Sequence, residues 1–385
     1  MLKNLNIIFI SPSIPRENSK SSDIVIYRHL EKLQKKGNNI FLITFEDGLR
    51  IKTPPKEWTV ISLPNHKWWF PPFRNYKLLK LIRYWIYFLF FSNNIIRKKK
   101  PDVILGYLWG TTLSGFDAFI SRRLNVPLCL FYHDDQKEFN IKKDATNIFN
   151  HEYQVVKNAS ALFTVSEKLI FCPNEFKNKH ILLPPIPEGY RNLKKDCYDN
   201  RKIIYSGLVQ ESHIGIFNEI SSIISNSGWE LEVITSGDSL KSFFDNQENR
   251  FSFRPFFEKT KDAIDYISQN AGALLVGYPI NSISQGQAWM LKSFPSKFTE
   301  YIHLGIPIIA IAPENSAFGE WCKKYKWPLY SNTTTSISSM INKLSNPQYW
   351  QEQSSICIET GNNLFSPDKI QEIFEMGIES VLRSK

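Results

Sequence analysis

The stretch "SFPSKFTEYIHLGIPIIAIAPE" (Ser293–Glu314) combines a helix start, a helix end and a buried strand. Pro295 is predicted to be the first helical residue, because its ring fixes φ near the helical value and its missing N–H would have no partner there. Gly305 favours a left-handed helix end, and Pro307 prevents the helix from continuing. The segment "IPIIAIA" is therefore predicted to enter a sheet directly after the helix, as in parallel α/β proteins.

The first turn of this predicted helix brings a hydroxyl, an ammonium group and unpaired backbone N–H groups together. Ser296 and Lys297 supply the two side chains, and a helix start of this kind suits a phosphate. Glu300 lies one turn later and would repel a phosphate, so it is better suited to accept hydrogen bonds from vicinal hydroxyls, as carboxylates do with ribose. A well-capped helix without a ligand is the alternative that capping alone leaves open.

Apolar runs of strand length recur along the whole chain with helical patterns between them, which predicts parallel sheets buried on both faces. The first helix is predicted to begin at a cap, Asp23, and to end at Gly37. The predicted strands are 6–11, 39–44, 58–63, 102–107, 128–133 and 161–166, followed by 202–207, 229–237, 251–256, 272–278 and 307–312.

A proline-rich and polar segment, 182–201, separates the two series of strands. The 385 residues exceed the usual size of one core, so two domains are expected. We predict an N-terminal Rossmann-like domain over 1–190, a C-terminal one over 200–365, and a closing helix over 366–385.

Composition limits the class of partner and the compartment. The formal net charge of +10 favours an anionic partner, which leaves nucleic acid, lipid headgroups and phosphorylated small molecules open. The five cysteines are scattered and form no CxxC pair, as expected for a reduced, cytoplasmic protein. The N-terminus is interpreted as a first strand rather than a signal peptide. No compact cluster of metal-binding residues is visible in the sequence. The pair Asp134–Asp135 alone is a weak signal for a metal site.

Two other classes of function have weak support. No GxGxxG follows the first strand, which argues against a dinucleotide-dependent oxidoreductase. Basic residues are spread along the chain without a recognised nucleic-acid-binding module, so nucleic acid is not expected as a partner.

The segment "PSKFTEYIHLGIPIIA" (295–310) resembles the donor-binding signature of GT-B glycosyltransferases of the family 4 type. Three further segments resemble the same family in the same order along the chain: "YHDD" (132–135), "ASALFTVSEKL" (159–169) and "IIYSGL" (203–208). The resemblance implies an α/β fold of the GT-B class, with two Rossmann-like, doubly wound domains facing each other across a cleft. It also implies an acceptor in the N-terminal domain and a nucleotide-sugar donor in the C-terminal domain.

By this resemblance, Ser296 and Lys297 would bind the donor diphosphate and Glu300 the ribose. Ser206 and Gly207 would let the backbone approach the phosphates closely. His133 matches a histidine that lies beside the transferred sugar, although a buried structural histidine is the alternative. The residues expected to be catalytic are His133, Lys297 and Glu300.

The chain departs from the family pattern at three places. Lys292 stands where a glutamate is common, eight positions before Glu300. The Lys that is common after the first strand of the C-terminal domain is missing, and His213 lies near that position. The segment "PRENSKSSD" (15–23) replaces a glycine-rich loop, so the acceptor side is expected to include Arg16, Lys20 and Asp134.

The implied reaction is the transfer of a sugar from a nucleotide-sugar to a glycan or lipid-linked acceptor in bacterial-type surface polysaccharide synthesis. Family members of this type commonly retain anomeric configuration and need no metal or other cofactor. The alternative is a non-catalytic, glycosyltransferase-like binding subunit that has lost turnover, which Lys292 and the missing glycine loop would explain.

The segment 67–100, "KWWFPPFRNYKLLKLIRYWIYFLFFSNNIIRKKK", combines aromatic and basic residues. Its uncharged run from Tyr84 to Ile96 is 13 residues, against about 20 for a membrane span. Helical periodicity from about Tyr76 separates a basic and tyrosine side (Lys77, Lys80, Arg83, Tyr84 and Tyr87) from an apolar side (Leu78, Leu81, Ile82, Trp85, Ile86 and Leu89). Two interpretations stay open: a core helix, or a helix that docks on an anionic membrane surface. The second would make the protein cytoplasmic and peripheral on the inner face of the plasma membrane.

Overall fold

The structure is a computed structural model that divides the chain into two compact units, each described here by itself. Unit 1 comprises Met1–Leu183 with Ile370–Lys385, and unit 2 comprises Pro184–Lys369. The structure describes residues 2–17, 19, 22–45, 53–63, 77–91, 100–108, 113–135, 145–189, 197–209, 211–236, 251–278 and 290–384.

Unit 1 is built on a seven-stranded sheet, sheet 1, in which every described pair of neighbouring strands is parallel. Its order is β3-β2-β1-β4-β5-β6-β7. The strands are β1 (Asn6–Ile10), β2 (Asn39–Phe45), β3 (Thr59–Leu63), β4 (Val103–Tyr107), β5 (Leu128–Tyr132), β6 (Ala161–Thr164) and β7 (His180–Leu182).

Unit 2 repeats this plan in a six-stranded parallel sheet, sheet 2, of order β10-β9-β8-β11-β12-β13. In both sheets the chain first winds outward on one side of the first strand and then crosses to the other side. The switch points lie between β1 and β4 and between β8 and β11, and ligands bind at such points in open α/β sheets. The strands are β8 (Lys202–Ser206), β9 (Glu230–Thr235), β10 (Ser252–Pro255), β11 (Ala273–Gly277), β12 (Ile308–Ile311) and β13 (Tyr330–Ser331).

Helices connect the strands, as parallel order requires. In unit 1 they are α1 (Ser22–Lys35), α2 (Lys77–Phe91), α3 (Leu113–Leu124), α4 (Ala145–Asn158) and α5 (Pro173–Phe176). The helices of unit 2 are α6 (Glu211–Ile224), α7 (Thr260–Asn270), α8 (Ser296–Tyr301), α9 (Ala317–Lys324), α10 (Ile337–Leu344) and α11 (Pro347–Leu364), and the last helix of the chain is α12 (Pro367–Arg383).

The last helix, α12, belongs to unit 1, although it follows unit 2 in sequence. Phe374 on its buried side packs against Phe163, at 4.8 Å between ring centroids, and against the His29 ring at 4.6 Å. The division at Leu183 lies just before the predicted boundary region of 190–200, and the 366–385 segment packs on sheet 1 through these aromatic contacts.

The predicted α/β fold with two Rossmann-like domains is confirmed, and every predicted strand is present with ends shifted by one or two residues. Two strands were not predicted, β7 and β13, because three and two residues are too short for a visible period. Asp23 is not a cap: α1 begins at Ser22, and Asp23 lies in its first turn, where it accepts a hydrogen bond from Ser13 Oγ at 2.6 Å. Gly37 ends the helical segment at φ 91°, as predicted.

The quoted stretch folds almost as predicted. Pro295 precedes the helix instead of opening it, because its ψ of 113° is extended, and α8 therefore begins at Ser296. Gly305 adopts the left-handed conformation (φ 65°), which any side chain would strain. All four residues of β12 are buried, so this strand lies at the centre of the unit 2 core.

Candidate functional site

Two tyrosine hydroxyls fasten the segment that contains α8 to the strands at the switch point of sheet 2. Tyr301, at the end of α8, donates a hydrogen bond to the carbonyl oxygen of Ser206 at 3.1 Å, and Ser206 is the last residue of β8. Tyr278 directly follows β11 and donates to the carbonyl oxygen of Ser293 at 3.2 Å. The predicted donor segment therefore lies at the position where this sheet topology binds ligands.

Lys297 lies over Gly207, the residue that follows β8. A Cβ atom built on Gly207 would stand 2.7 Å from Lys297 Cε and 2.9 Å from Tyr205 Oη, so a side chain at this position would displace the end of the Lys297 side chain. Lys297 Nζ lies 6.0 Å from the ring centroid of Phe256, just after β10. The ammonium group is thus held near the carboxyl ends of the strands, as a diphosphate site requires.

Glu300 faces the segment that enters unit 2. One of its carboxylate oxygens, Oε2, accepts a hydrogen bond from the backbone N–H of Glu188 at 3.2 Å. A carboxylate has about four lone-pair positions, so it can accept hydrogen bonds from hydroxyl groups as well as from a backbone N–H. The geometry is compatible with the ribose contact that the sequence predicts, and that role stays a prediction.

α8 has only six residues, which limits its contribution to anion binding. Fewer aligned peptide dipoles give a smaller charge at the helix start. Ser296, its first residue, is half-buried, and its carbonyl oxygen accepts a hydrogen bond from Thr299 Oγ1 at 2.8 Å. The side-chain charge of Lys297 is therefore the main source of positive potential in this segment.

The two residues at which the family pattern is broken lie in the same unit. His213, on α6, is buried with its ring centroid 6.0 Å from that of Tyr205, the ring that also borders Gly207. Lys292 is half-buried and lies five residues before Lys297. Their roles at a donor stay predictions.

In unit 1, His133 directly follows β5, one strand beyond the switch point. Its ring is buried, with centroids 5.5 Å from Tyr107 and 5.8 Å from Phe131. Burial disfavours the charged imidazolium and lowers the pKa of His133 to about 4. At neutral pH the ring is therefore uncharged, with one nitrogen able to donate and one able to accept a hydrogen bond.

A group of hydroxyl and carboxyl side chains lies at the ends of β1 and β4. Tyr107 Oη donates to Ser22 Oγ at 3.1 Å, and Ser13 Oγ donates to Asp23 Oδ1 at 2.6 Å. None of these was predicted as a site residue. Burial raises the pKa of Tyr107, so it stays protonated as a donor at neutral pH.

The predicted acceptor-side residues are described in part. Arg16 is half-buried, and its Nε atom is buried without a hydrogen-bond partner among the described residues. Asp134 is half-buried directly after His133, and Asp135 is buried. Lys20 lies outside the described residues.

Sequence reasoning missed the tyrosines that position this site: Tyr205, Tyr278 and Tyr301. The only signal was the place of Tyr301 inside the quoted motif, since its partner Ser206 lies 95 positions away. As for metal sites, no group of three or more His, Cys, Asp and Glu side chains is close enough to bind an ion within the described ranges.

Two units, each with a parallel Rossmann-like sheet, have the architecture of the GT-B fold. Residues 23–170 match the family model of Glycosyltransferase Family 4. This match covers less than half of the chain; over these residues it confirms the predicted resemblance to GT-B glycosyltransferases of the family 4 type, and it agrees with the predicted class of enzyme, a nucleotide-sugar-dependent glycosyltransferase.

Solved structures match over nearly the whole chain. HepE from Anabaena in complex with UDP is 11% identical, with a TM-score of 0.66 over 98% of this chain and 100% of that one. OtsA, in its apo structure, is 10% identical with a TM-score of 0.65 over 97% and 99% of the two chains. UGT89C1 from Arabidopsis thaliana, complexed with UDP-L-rhamnose, is 10% identical with a TM-score of 0.53 over 98% and 99%. At sequence identities this low, the structural similarity shows the fold alone. No curated protein matches the chain by sequence.

Proposed function

We propose that the protein transfers a sugar from a nucleotide-sugar bound in unit 2 to a glycan or lipid-linked acceptor bound in unit 1. The observation that carries the proposal is Lys297, whose side chain crosses Gly207 at the switch point of sheet 2. The family-model match and the whole-chain fold support the same class of reaction. HepE, a structural neighbour, was crystallised with UDP-glucose, which makes a UDP-sugar the first donor to test.

In this proposal the donor diphosphate lies next to Lys297 at Ser206 and Gly207, where a glycine lets the backbone come close to the phosphates. Lys297, Ser296 and Lys292 stabilise the negative charge that develops on the diphosphate as the glycosidic bond breaks. Glu300 accepts hydrogen bonds from the ribose, and His213 lines the same site behind Tyr205.

The acceptor side of the proposal centres on His133. As an uncharged imidazole it positions an acceptor hydroxyl or the transferred sugar by hydrogen bonding. Arg16, Lys20 and Asp134 contribute polar contacts to the acceptor. We assign no proton-transfer step to His133, because orienting a hydroxyl requires only the hydrogen bond.

The finer parts of the proposal follow from the family resemblance. We propose retention of anomeric configuration, charge neutralisation by lysines without a metal ion, and a role in bacterial-type surface polysaccharide synthesis. The protein would act in the cytoplasm. A peripheral position on the inner face of the plasma membrane would depend on the segment 67–100 and not on the family resemblance.

A non-catalytic binding subunit is the second candidate, and Lys292 favours it. A lysine in place of the common glutamate removes a carboxylate beside the donor sugar. Such a protein would bind nucleoside diphosphate without releasing it from a sugar donor.

One experiment separates the two candidates. The protein is incubated with a set of UDP-, GDP- and ADP-sugars and a lipid-linked acceptor, with and without EDTA, and released nucleoside diphosphate is quantified. The enzyme hypothesis is supported if nucleoside diphosphate is released, if EDTA does not change this release, and if Lys297→Ala abolishes it. The matched control is Lys323→Ala, an exposed lysine on α9 that contacts Glu314. Binding of a nucleotide without release supports the subunit, and neither binding nor release contradicts both.

A further inference from the structure

α2 turns its apolar side toward solvent. Its tyrosines form the buried side: Tyr84 and Tyr87 are 9% and 3% exposed, and their rings lie 5.9 Å and 5.5 Å from that of Phe116 on α3. The exposed side carries four large apolar residues, namely Leu81 (45% exposed), Ile82 (41%), Trp85 (36%) and Leu89 (57%). The core-helix interpretation is therefore wrong for Leu81, Ile82 and Leu89, whereas Trp85 is partly exposed and also packs on Phe119, at 5.5 Å between ring centroids. We call these four residues the α2 stripe.

The α2 stripe concentrates apolar exposure on one short element. It holds four of the ten large hydrophobic side chains that are exposed in the described part of the chain, within a helix of 15 residues. Leu81, Trp85 and Leu89 are spaced by four, so they follow one line along the helix. Contiguous apolar exposure of this kind marks an interaction surface rather than scattered surface residues.

Every charged residue in the sequence around α2 is a lysine or an arginine. Residues 64–100 contain nine lysine and arginine residues and no aspartate or glutamate, so they account for nearly all of the formal net charge of +10. α3 adds a cation beside the α2 stripe, because Arg123 Cζ lies 4.6 Å from the ring centroid of Trp85. Helical spacing puts Lys77, Lys80 and Arg83 on the tyrosine side instead, so the cations that can accompany the α2 stripe are Arg123 and those that flank α2 in sequence, among them Arg97, Lys98, Lys99 and Lys100.

We propose that the α2 stripe docks on the surface of an anionic lipid bilayer. The apolar side chains enter the boundary between headgroups and acyl chains, and the surrounding cations contact anionic headgroups. Lipid is favoured over nucleic acid because leucine and isoleucine have no use on a phosphate backbone. It is favoured over a second copy of this chain because two surfaces of such positive charge repel each other.

The dimensions of α2 fit a helix that lies along the surface. Its 15 residues extend about 22 Å, less than the ~30 Å hydrocarbon core. No helix of the described ranges has the length and apolarity needed to cross a bilayer. Peripheral binding would bring unit 1 to a lipid-linked acceptor, and only this consequence rests on the proposed function.

Liposome co-sedimentation of the full chain tests the docking. Vesicles of phosphatidylcholine are compared with vesicles that also contain phosphatidylglycerol, at low and high salt. We expect binding only to the anionic vesicles, and weaker binding at high salt. Leu81→Ser with Leu89→Ser should weaken binding about tenfold. Lys98→Glu with Lys99→Glu and Lys100→Glu should weaken it by a factor of about 100 or more, because each cation near the membrane surface contributes about 1 kcal/mol.

Matched controls carry the same chemical changes elsewhere on the surface. Ile358→Ser with Met376→Ser removes two equally exposed apolar side chains, and Lys56→Glu with Lys261→Glu and Lys343→Glu makes the same change in charge. Each control should bind vesicles more tightly than the variant with the same chemical change, and the apolar control should bind like the unaltered chain. Circular dichroism and thermal unfolding of every variant show whether it is folded.

Several results would overturn the proposal. The first is equal recovery in the supernatant with both kinds of vesicle, and the second is an equal loss of vesicle binding in folded variants and controls. The third is displacement of the protein from vesicles by DNA, with both the apolar and the charge variant still bound to DNA. The fourth is a dimer that only the apolar variant of α2 disrupts. Nucleotide titration on the same preparations reports the donor site separately, so a failure of docking is distinguishable from a failure of the proposed function.

Discussion

The two units place different chemistry at the same position of the same strand order. At the carboxyl ends of sheet 2, Lys297 brings a positive charge to Gly207, and Glu300 brings a negative charge to the same short helix. At the carboxyl ends of sheet 1, the buried His133 lies between the rings of Tyr107 and Phe131 and is uncharged at neutral pH. One topology thus supports a lysine at one site and an uncharged imidazole at the other.

The difference teaches which part of the molecule decides what is bound. A switch point determines where a ligand lies on a parallel sheet, whereas the side chains at the strand ends determine its chemistry. Charge near sheet 2 suits a diphosphate, and a neutral hydrogen-bonding ring near sheet 1 suits a sugar hydroxyl. The predictions below test this separation, from the largest expected effect to the smallest.

The largest effect is expected at His133. His133→Ala should lower turnover by about 10²-fold, the loss expected when a reacting group is no longer held in position, and leave nucleoside diphosphate affinity unchanged. Steady-state kinetics and calorimetry measure the two quantities. His180→Ala is the control, since His180 opens β7 at the opposite, amino end of its strand. A collapse of nucleotide affinity in folded His133→Ala would break the separation of roles.

Acid should destabilise unit 1 through two buried imidazoles. Burial lowers the pKa of His29 to about 3 and that of His133 to about 4, against about 6.5 in the unfolded chain. Between these values the unfolded chain binds more protons, so stability is fully present above about pH 6.5 and falls as the pH drops toward 4. Each imidazole contributes on the order of 3 kcal/mol.

His29→Phe isolates one of these contributions. His29 Nδ1 lies 2.8 Å from Gln371 Oε1 on α12, and its Nε2 is buried without a partner among the described residues, so a second proton would have no acceptor. The variant should lose less stability between pH 7 and pH 5 than the unaltered chain, as followed by chemical denaturation. An identical loss in both proteins would contradict this reason.

The smallest effect is expected at Tyr301. Tyr301→Phe removes the hydrogen bond that holds α8 to the end of β8 and keeps the buried ring. A net contribution of about 0.5–1.5 kcal/mol predicts nucleoside diphosphate affinity lowered by roughly 2- to 10-fold. Tyr330→Phe is the control, because its hydroxyl donates to the carbonyl oxygen of Ala312 instead. Equal affinities in both variants would show that this bond does not position Lys297.

Local sequence signals predicted most of the fold. Continuous apolar runs such as 128–133 became buried strands, here Leu128–Tyr132, because a strand covered on both faces needs apolar residues at every position. Gly305 and Pro307 marked the helix end because each restricts or permits backbone angles by itself. The order of the strands was predicted only as far as a doubly wound sheet, and the structure supplied the rest.

Features that depend on residues distant in sequence were not predictable. The amphipathic pattern of α2 was visible in the sequence, but the sequence did not show which side of the helix packs. In the structure the tyrosine side is buried, because Tyr84 packs on the rings of Phe116 and Phe119 in α3. Similarly, the bond between Tyr301 and Ser206 joins positions that only the folded sheet brings together. Lys297 and Glu300 were identified as site residues from the motif, and their roles stay predictions.

The most direct test of the central claim, that sheet 2 carries the charged nucleotide site, is calorimetric titration with UDP. The unaltered chain and the Lys323→Ala control should bind with the same affinity, and Lys297→Ala should bind roughly 10- to 150-fold more weakly, as expected for a lost charge-assisted contact. His133→Ala should bind like the unaltered chain. Equal UDP affinity in folded Lys297→Ala and in the control would contradict the account, because the diphosphate would then lie elsewhere.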